Sequence, residues 1–149
     1  MVDAKQIFDA LMLEAQSDIR SAKLLLDGTE FSRSIYHSQQ AVEKGMKASL
    51  VLTGIVITDD HWVSDRFIKA FPEMPNISNL IRDAKYLERQ ATKSRYPLFT
   101  STDRPIWIPS REYSEHDAED AYRKAKNILE TTSQFLKEKH NISLNKDEL

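Results

Sequence analysis

Between Ser32 and Thr53 the chain reads SRSIYHSQQAVEKGMKASLVLT, and within it Ala41, Gly45 and Ala48 recur at i, i+4 and i+7. On a helix that spacing puts all three on one face. Side chains that small let another backbone come close, so the stretch predicts a buried helix packed tightly against a neighbour. The same segment carries Gln39, Gln40, Glu43, Lys44 and Lys47, and His37 stands near its start. Packing alone calls for fewer polar groups beside such a stripe. The helix therefore reads both as core and as a candidate recognition surface.

The rest of the chain has a similar rhythm. Only three glycines occur, and the prolines are confined to positions 72, 75, 97, 105 and 109. The stretches between them show helical spacing and almost no strand alternation. Phe8, Met12, Ala15, Ile19, Ala22 and Leu26, widened by Ile7, Leu11 and Leu25, predict a helix from Val2 to Asp27 that Gly28 stops. A very short turn leads to a second helix, from about Phe31 to about Thr53, antiparallel to the first. Gly54 ends it, and Thr58-Asp59-Asp60 offers capping oxygens for a short helix from about His61 to Ala70. Asn76 or Ser78 is placed to cap the next helix, which carries Leu80, Ile81, Ala84, Leu87 and Ala91 to about Lys93 before Pro97 forbids continuation. Residues 98–113, LFTSTDRPIWIPSREY, have no helical period and read as a loop anchored by Trp107 with Ile106 and Ile108. Ser114 and Asp117 make a capping-box-like start to the last helix, where Ala118, Ala121, Ala125, Ile128, Thr132 and Phe135 keep the spacing to about His140. The expected fold is all-α: an up-and-down antiparallel bundle of four long helices plus one short helix. It forms a single domain over residues 1–140, with a charged flexible tail over 141–149.

At 149 residues the chain suits one domain with a core of its own. Its 21 basic and 23 acidic residues leave a net charge of -2, so no global field steers it to nucleic acid or anionic lipid, and any such contact needs a local patch. The absence of cysteine removes disulfide and thiolate chemistry and fits a reducing cytoplasm. The N-terminal segment interleaves charges with apolar residues, unlike a signal peptide, and no apolar run approaches the roughly 20 residues of a membrane span. Without a route into the secretory pathway, the final Lys146-Asp147-Glu148-Leu149 reads as part of the charged tail, not as a retention address.

Four features occur in an order that is itself informative. They are AVEKGMKASL preceded by Gln39-Gln40, His61 at the start of the short helix, Arg95-Tyr96-Pro97 after the next helix, and a final helix rich in alanine at 118, 121 and 125. Together these resemble the HEPN domain family over most of residues 5 to 138. Gly45-Met46 stands where relatives commonly have Ala-Leu, and Trp62-Val63 departs mildly from the residues usual after the histidine. The resemblance implies a helical bundle, usually dimeric, often paired with a minimal nucleotidyltransferase as a toxin-antitoxin or regulatory module. The family name reflects a proposed nucleotide-binding role. Some branches are metal-independent ribonucleases using an arginine and a histidine four to six residues apart.

One literal match to that spacing exists, Arg111 and His116, straddling the loop and the cap of the last helix. A ribonuclease needs an imidazole for proton transfer and a guanidinium for the phosphate. Arg33 and His37, at i and i+4, are a second pair with either a surface role or a phosphate contact. His61 reads either as a helix-start residue packed against Trp62 and the second helix or as a catalytic or nucleotide-binding side chain. No two histidines have ligand spacing, so neither a metal nor a resident cofactor is expected. A nucleotide such as ATP or GTP, or RNA, is the candidate ligand: Lys44, Lys47 and Arg95 could grip phosphates while Tyr96 or Trp107 stacks a base. The competing account pairs those cations with carboxylates such as Glu43 and Glu88. A pure interaction module is the other class. Leu13, Leu24 and Val51 exceed one core face, and a homodimer through the first two helices would cover them.

Overall fold

The structure, a computed structural model, describes residues 1–55, 63–99, 105–147 and 149. Among the described residues six helices follow in order: α1 (Ala4–Asp27), α2 (Phe31–Val51), α3 (Val63–Ala70), α4 (Ile77–Lys93), α5 (Pro109–Glu112) and α6 (Glu115–His140). The bundle of four long helices is as expected, and α3 is the expected short one. His61, Trp62 and the residues proposed to cap α3 lie outside the described residues.

Local chemistry sets the ends. Asp3 caps α1, accepting from the Gln6 amide at 2.8 Å while the Gln6 side chain accepts from Asp3 N–H at 3.1 Å. Ser114 and Asp117 make the same reciprocal pair at the start of α6, at 3.1 and 2.9 Å, so the expected capping box forms. Gly28 ends α1, but its φ is -85°, and the left-handed residue is Thr29 at 62°. Glu30 N–H then reaches back to the Leu25 carbonyl at 2.8 Å, which places the reversal one residue later than the glycine suggests. Asn76 precedes α4 with φ 58°, and its side chain makes no capping bond. A capping side chain is aimed by an extended backbone, which the left-handed conformation does not provide.

The stretch expected to be plain loop contains α5. Pro109 supplies its first residue, where a preset φ helps and the missing N–H costs nothing. Leu98 and Trp107 exchange two backbone hydrogen bonds at 3.0 and 2.9 Å, so the loop closes on itself. Trp107 is the anchor: its indole Nε1–H donates to the Lys93 carbonyl at 2.8 Å, and its ring meets Tyr113 edge-on at 5.5 Å. Ile106 is exposed and takes no part.

Helix α2 is the hub, packing against α1, α3, α4, α5 and α6. Ala41, Gly45 and Ala48 are all buried, and a Cβ added at Gly45 would lie 2.4 Å from Leu129 Cδ2 of α6. The small-residue stripe is therefore used inside the bundle. Val51 is also a core residue, so of the three apolar residues assigned to a dimer face only Leu24 is fully exposed, and Leu13 is partly so. The segment after His140, expected as a free tail, folds back at its start. Ile142 and Leu144 pack on the core, and Asn145 N–H donates to Asp9 Oδ1 at 3.1 Å. Apolar side chains at 142 and 144 keep this segment in contact where charge alone would release it.

Candidate functional site

Because α2 is covered on most sides, only a narrow strip of it reaches solvent. Arg33, Tyr36, His37, Gln40, Glu43, Lys44 and Lys47 lie along that strip, following the i, i+3, i+4 rows of the helix. Every site candidate that sequence reasoning drew from this helix is on it.

At the N-terminal end of the strip, Arg95 arrives from just beyond α4. Its guanidinium lies 4.9 Å from the centre of the Tyr36 ring and 5.2 Å from that of Tyr96. Its Nε donates to the Ala91 carbonyl at 3.1 Å, and among the described residues its terminal nitrogens make no hydrogen bond. Among the described residues no carboxylate pairs with Arg95, and Tyr96 is 57% exposed. A held, unpaired guanidinium beside an open ring is what a phosphate with an attached base requires. The loop buttresses this corner. Tyr113 donates to Gln90 Oε1 at 2.8 Å, and burial pushes its phenol up to about 12.

Further along the strip, Asp18 of α1 is buried and faces α2. His37 Nδ1 lies 2.8 Å from its Oδ1, and Lys44 Nζ donates to its Oδ2 at 2.6 Å. Lys47 pairs with Glu43 at 3.7 Å, as the competing account anticipates. Glu88 does not join those lysines: its carboxylate accepts from Ser64 N–H and Oγ–H, each at 2.9 Å. Arg33 shares the strip with His37 and donates to Ser32 Oγ at 3.0 Å, while His37 turns to Asp18.

Lys44 and Lys47 follow Tyr36 by eight and eleven residues, which is about 12 and 16 Å of helix. They share the strip with Arg95 but share no contact with it. Arg111 and His116 are both exposed, on α5 and on the first turn of α6, with no hydrogen bond between them. Among the described residues no three His, Asp or Glu converge as a metal-ligand set, and no helix is long and apolar enough to cross a membrane.

Asp18 is the residue sequence reasoning missed. The signal was present: Asp18 sits three residues after Ala15 and four before Ala22, on the apolar face of α1. A carboxylate in that position must find cations or donors, and its partners mark a site.

Comparison with known proteins agrees with the architecture. The HEPN domain family matches residues 8–138. A protein of Methanocaldococcus jannaschii named "Putative toxin MJ1304" is 38% identical over 135 residues, covering 86% of this chain and 87% of its own. Two crystal structures share the fold. TT1696 from Thermus thermophilus has a TM-score of 0.70 at 24% identity, covering 85% of this chain and 96% of its own. ST0689, described as an archaeal HEPN homologue, has a TM-score of 0.65 at 23% identity, covering 90% and 98%. The chain belongs to the HEPN domain family.

Proposed function

We propose that this protein is the HEPN half of a two-protein, toxin-type module. It binds RNA or a nucleotide such as ATP or GTP and works with a minimal nucleotidyltransferase partner. The observation that carries this reading is the Arg95 corner, a guanidinium held over Tyr36 and Tyr96 and, among the described residues, without a carboxylate to neutralise it. Phosphate takes the terminal guanidinium nitrogens, and the exposed Tyr96 ring stacks a base. Lys44 and Lys47 extend the surface for a longer strand. The protein acts in the cytoplasm as a homodimer, and Leu24, exposed on α1, is a residue the second copy would cover. The relative's printed name supports the toxin-type module.

Fluorescence anisotropy with a labelled single-stranded RNA, and thermal melts with millimolar ATP or GTP, test the binding. Arg95→Ala is expected to weaken binding about tenfold while the apo melting temperature holds, because the side chain is exposed. Unchanged affinity in Arg95→Ala would remove the corner from the ligand surface.

A second reading, a metal-independent ribonuclease toxin using Arg111 and His116, is supported by their spacing, their exposure and the same relative's name. RNA cleavage that vanishes in His116→Ala would establish it.

A further inference from the structure

Away from α2, a cavity of about 610 Å³ lies between α1, α6 and the segment that follows α6. Small-molecule sites usually enclose about 300–1,000 Å³. Phe8, Met12 and Ile19 of α1, Leu129 of α6, and Ile142 and Leu144 beyond it supply the apolar lining. None of the lining residues belongs to α2 or α4, so the cavity is separate from the Arg95 corner.

Its charge is one-sided. Arg20, Lys126 and Lys137 line it together with a single carboxylate, Glu130, which pairs with Lys126 at 4.0 Å. Among the described residues neither Arg20 nor Lys137 has a carboxylate partner. An apolar slot with surplus positive charge complements an amphiphile that carries one negative charge. A cationic amphiphile would meet like charge, and a neutral one would make no use of Arg20.

The two ends of the cavity differ. Asn145 N–H donates to Asp9 Oδ1 at 3.1 Å, which holds Ile142 and Leu144 beside the first turns of α1 as an apolar wall. Arg20 lies 12 residues beyond Phe8, about 18 Å along the helix. That distance accommodates an extended dodecanoyl chain. A guanidinium is also the side chain best shaped for a carboxylate, since it donates two parallel hydrogen bonds.

We propose that this cavity binds a free, linear, long-chain carboxylate, with the carboxylate on Arg20 and the methyl end against Ile142 and Leu144. The chain fills the slot between Met12, Ile19 and Leu129, and the adaptable thioether of Met12 accommodates it. The site stands apart from the nucleotide and RNA reading, and each can fail without the other.

The test is isothermal titration calorimetry on the whole chain with dodecanoate kept below its micelle concentration. Decanoate, decanol and dodecyltrimethylammonium are the comparison probes. One dodecanoate is expected per chain, with decanoate about tenfold weaker because it buries two fewer methylenes. Dodecyltrimethylammonium should bind at least about tenfold more weakly than dodecanoate. Arg20→Ala should weaken decanoate about tenfold and leave decanol unchanged, whereas Ile142→Ser should weaken both by a similar factor. Arg20 is exposed, so its variant is expected to fold, and circular-dichroism melts check both. Dodecanoate that gives no binding heat overturns the proposal. So does uptake of many molecules per chain, equal binding of the cationic probe, or decanoate affinity unchanged in Arg20→Ala.

Discussion

At Gly45 two helices meet so closely that an added methyl group must displace the end of a leucine side chain on α6. Inserting a carbon there costs about 1–3 kcal/mol in strain, against a helix-propensity gain near 1 kcal/mol for alanine over glycine, which is about the usual difference. Gly45→Ala is therefore expected to lower stability by about 1 kcal/mol in urea titrations. In a Leu129→Ala background the obstacle is gone, so the same change should become neutral or stabilising, and a double-mutant cycle reads that reversal as coupling. Thr29 is the opposite case. A β-branched residue at φ 62° is strained, and glycine relieves it. Thr29→Gly should raise stability by about 1 kcal/mol by the same measurement. Sequence inspection pointed to Gly28 because glycine is the usual residue at a left-handed helix end. Here the hydrogen bond from Glu30 to Leu25 moved the reversal to its neighbour.

The helices themselves were legible because their apolar rows repeat with little interruption, and the capping residues at Ser114 and Asp117 state where α6 begins. What lay across helices was not. Lys47 and Glu43 pair within α2 at i, i+4, as the spacing allows, but whether Lys44 turns to Asp18 depends on how α1 rotates against α2, and one helix's spacing does not contain that angle. The tie between α3 and α4 was equally hidden, and it has a pH signature. Burial raises the Glu88 carboxyl above its ordinary 4.5 in the folded state, with the two Ser64 hydrogen bonds opposing. The folded chain holds that proton more tightly than the unfolded chain. The stability this contributes is complete below about pH 4.5 and is lost as pH rises through the folded value. Glu88→Gln keeps an acceptor for Ser64 without the buried charge. It should melt above the wild type at neutral pH, and the gap should close as the solution is acidified below that point.

For the molecule as a whole, the packed segment beyond His140 changes the domain boundary that charge composition suggests. Ile142 and Leu144 bury part of their surface, and Asn145 N–H joins Lys5, at 2.6 Å, in donating to the fully buried Asp9. Among the described residues Asp9 Oδ2 has no partner. A chain ending at His140 should lose about 3 kcal/mol from the exposed apolar area and the weakened support of that carboxylate, seen as an earlier urea midpoint. The contact between Asp9 and Asn145 also has a geometric outcome. It ties the segment after α6 to the first turns of α1, while Tyr36, which carries Arg95, stands beside His37 opposite Asp18 in the second half of α1. The 14 residues of α1 from Ala4 to Asp18, which pairs with His37 beside Tyr36, span about 21 Å, so a fluorophore or surface tether fixed at the start of α1 would stand more than half of that rod away from the guanidinium corner and leave it open to ligand.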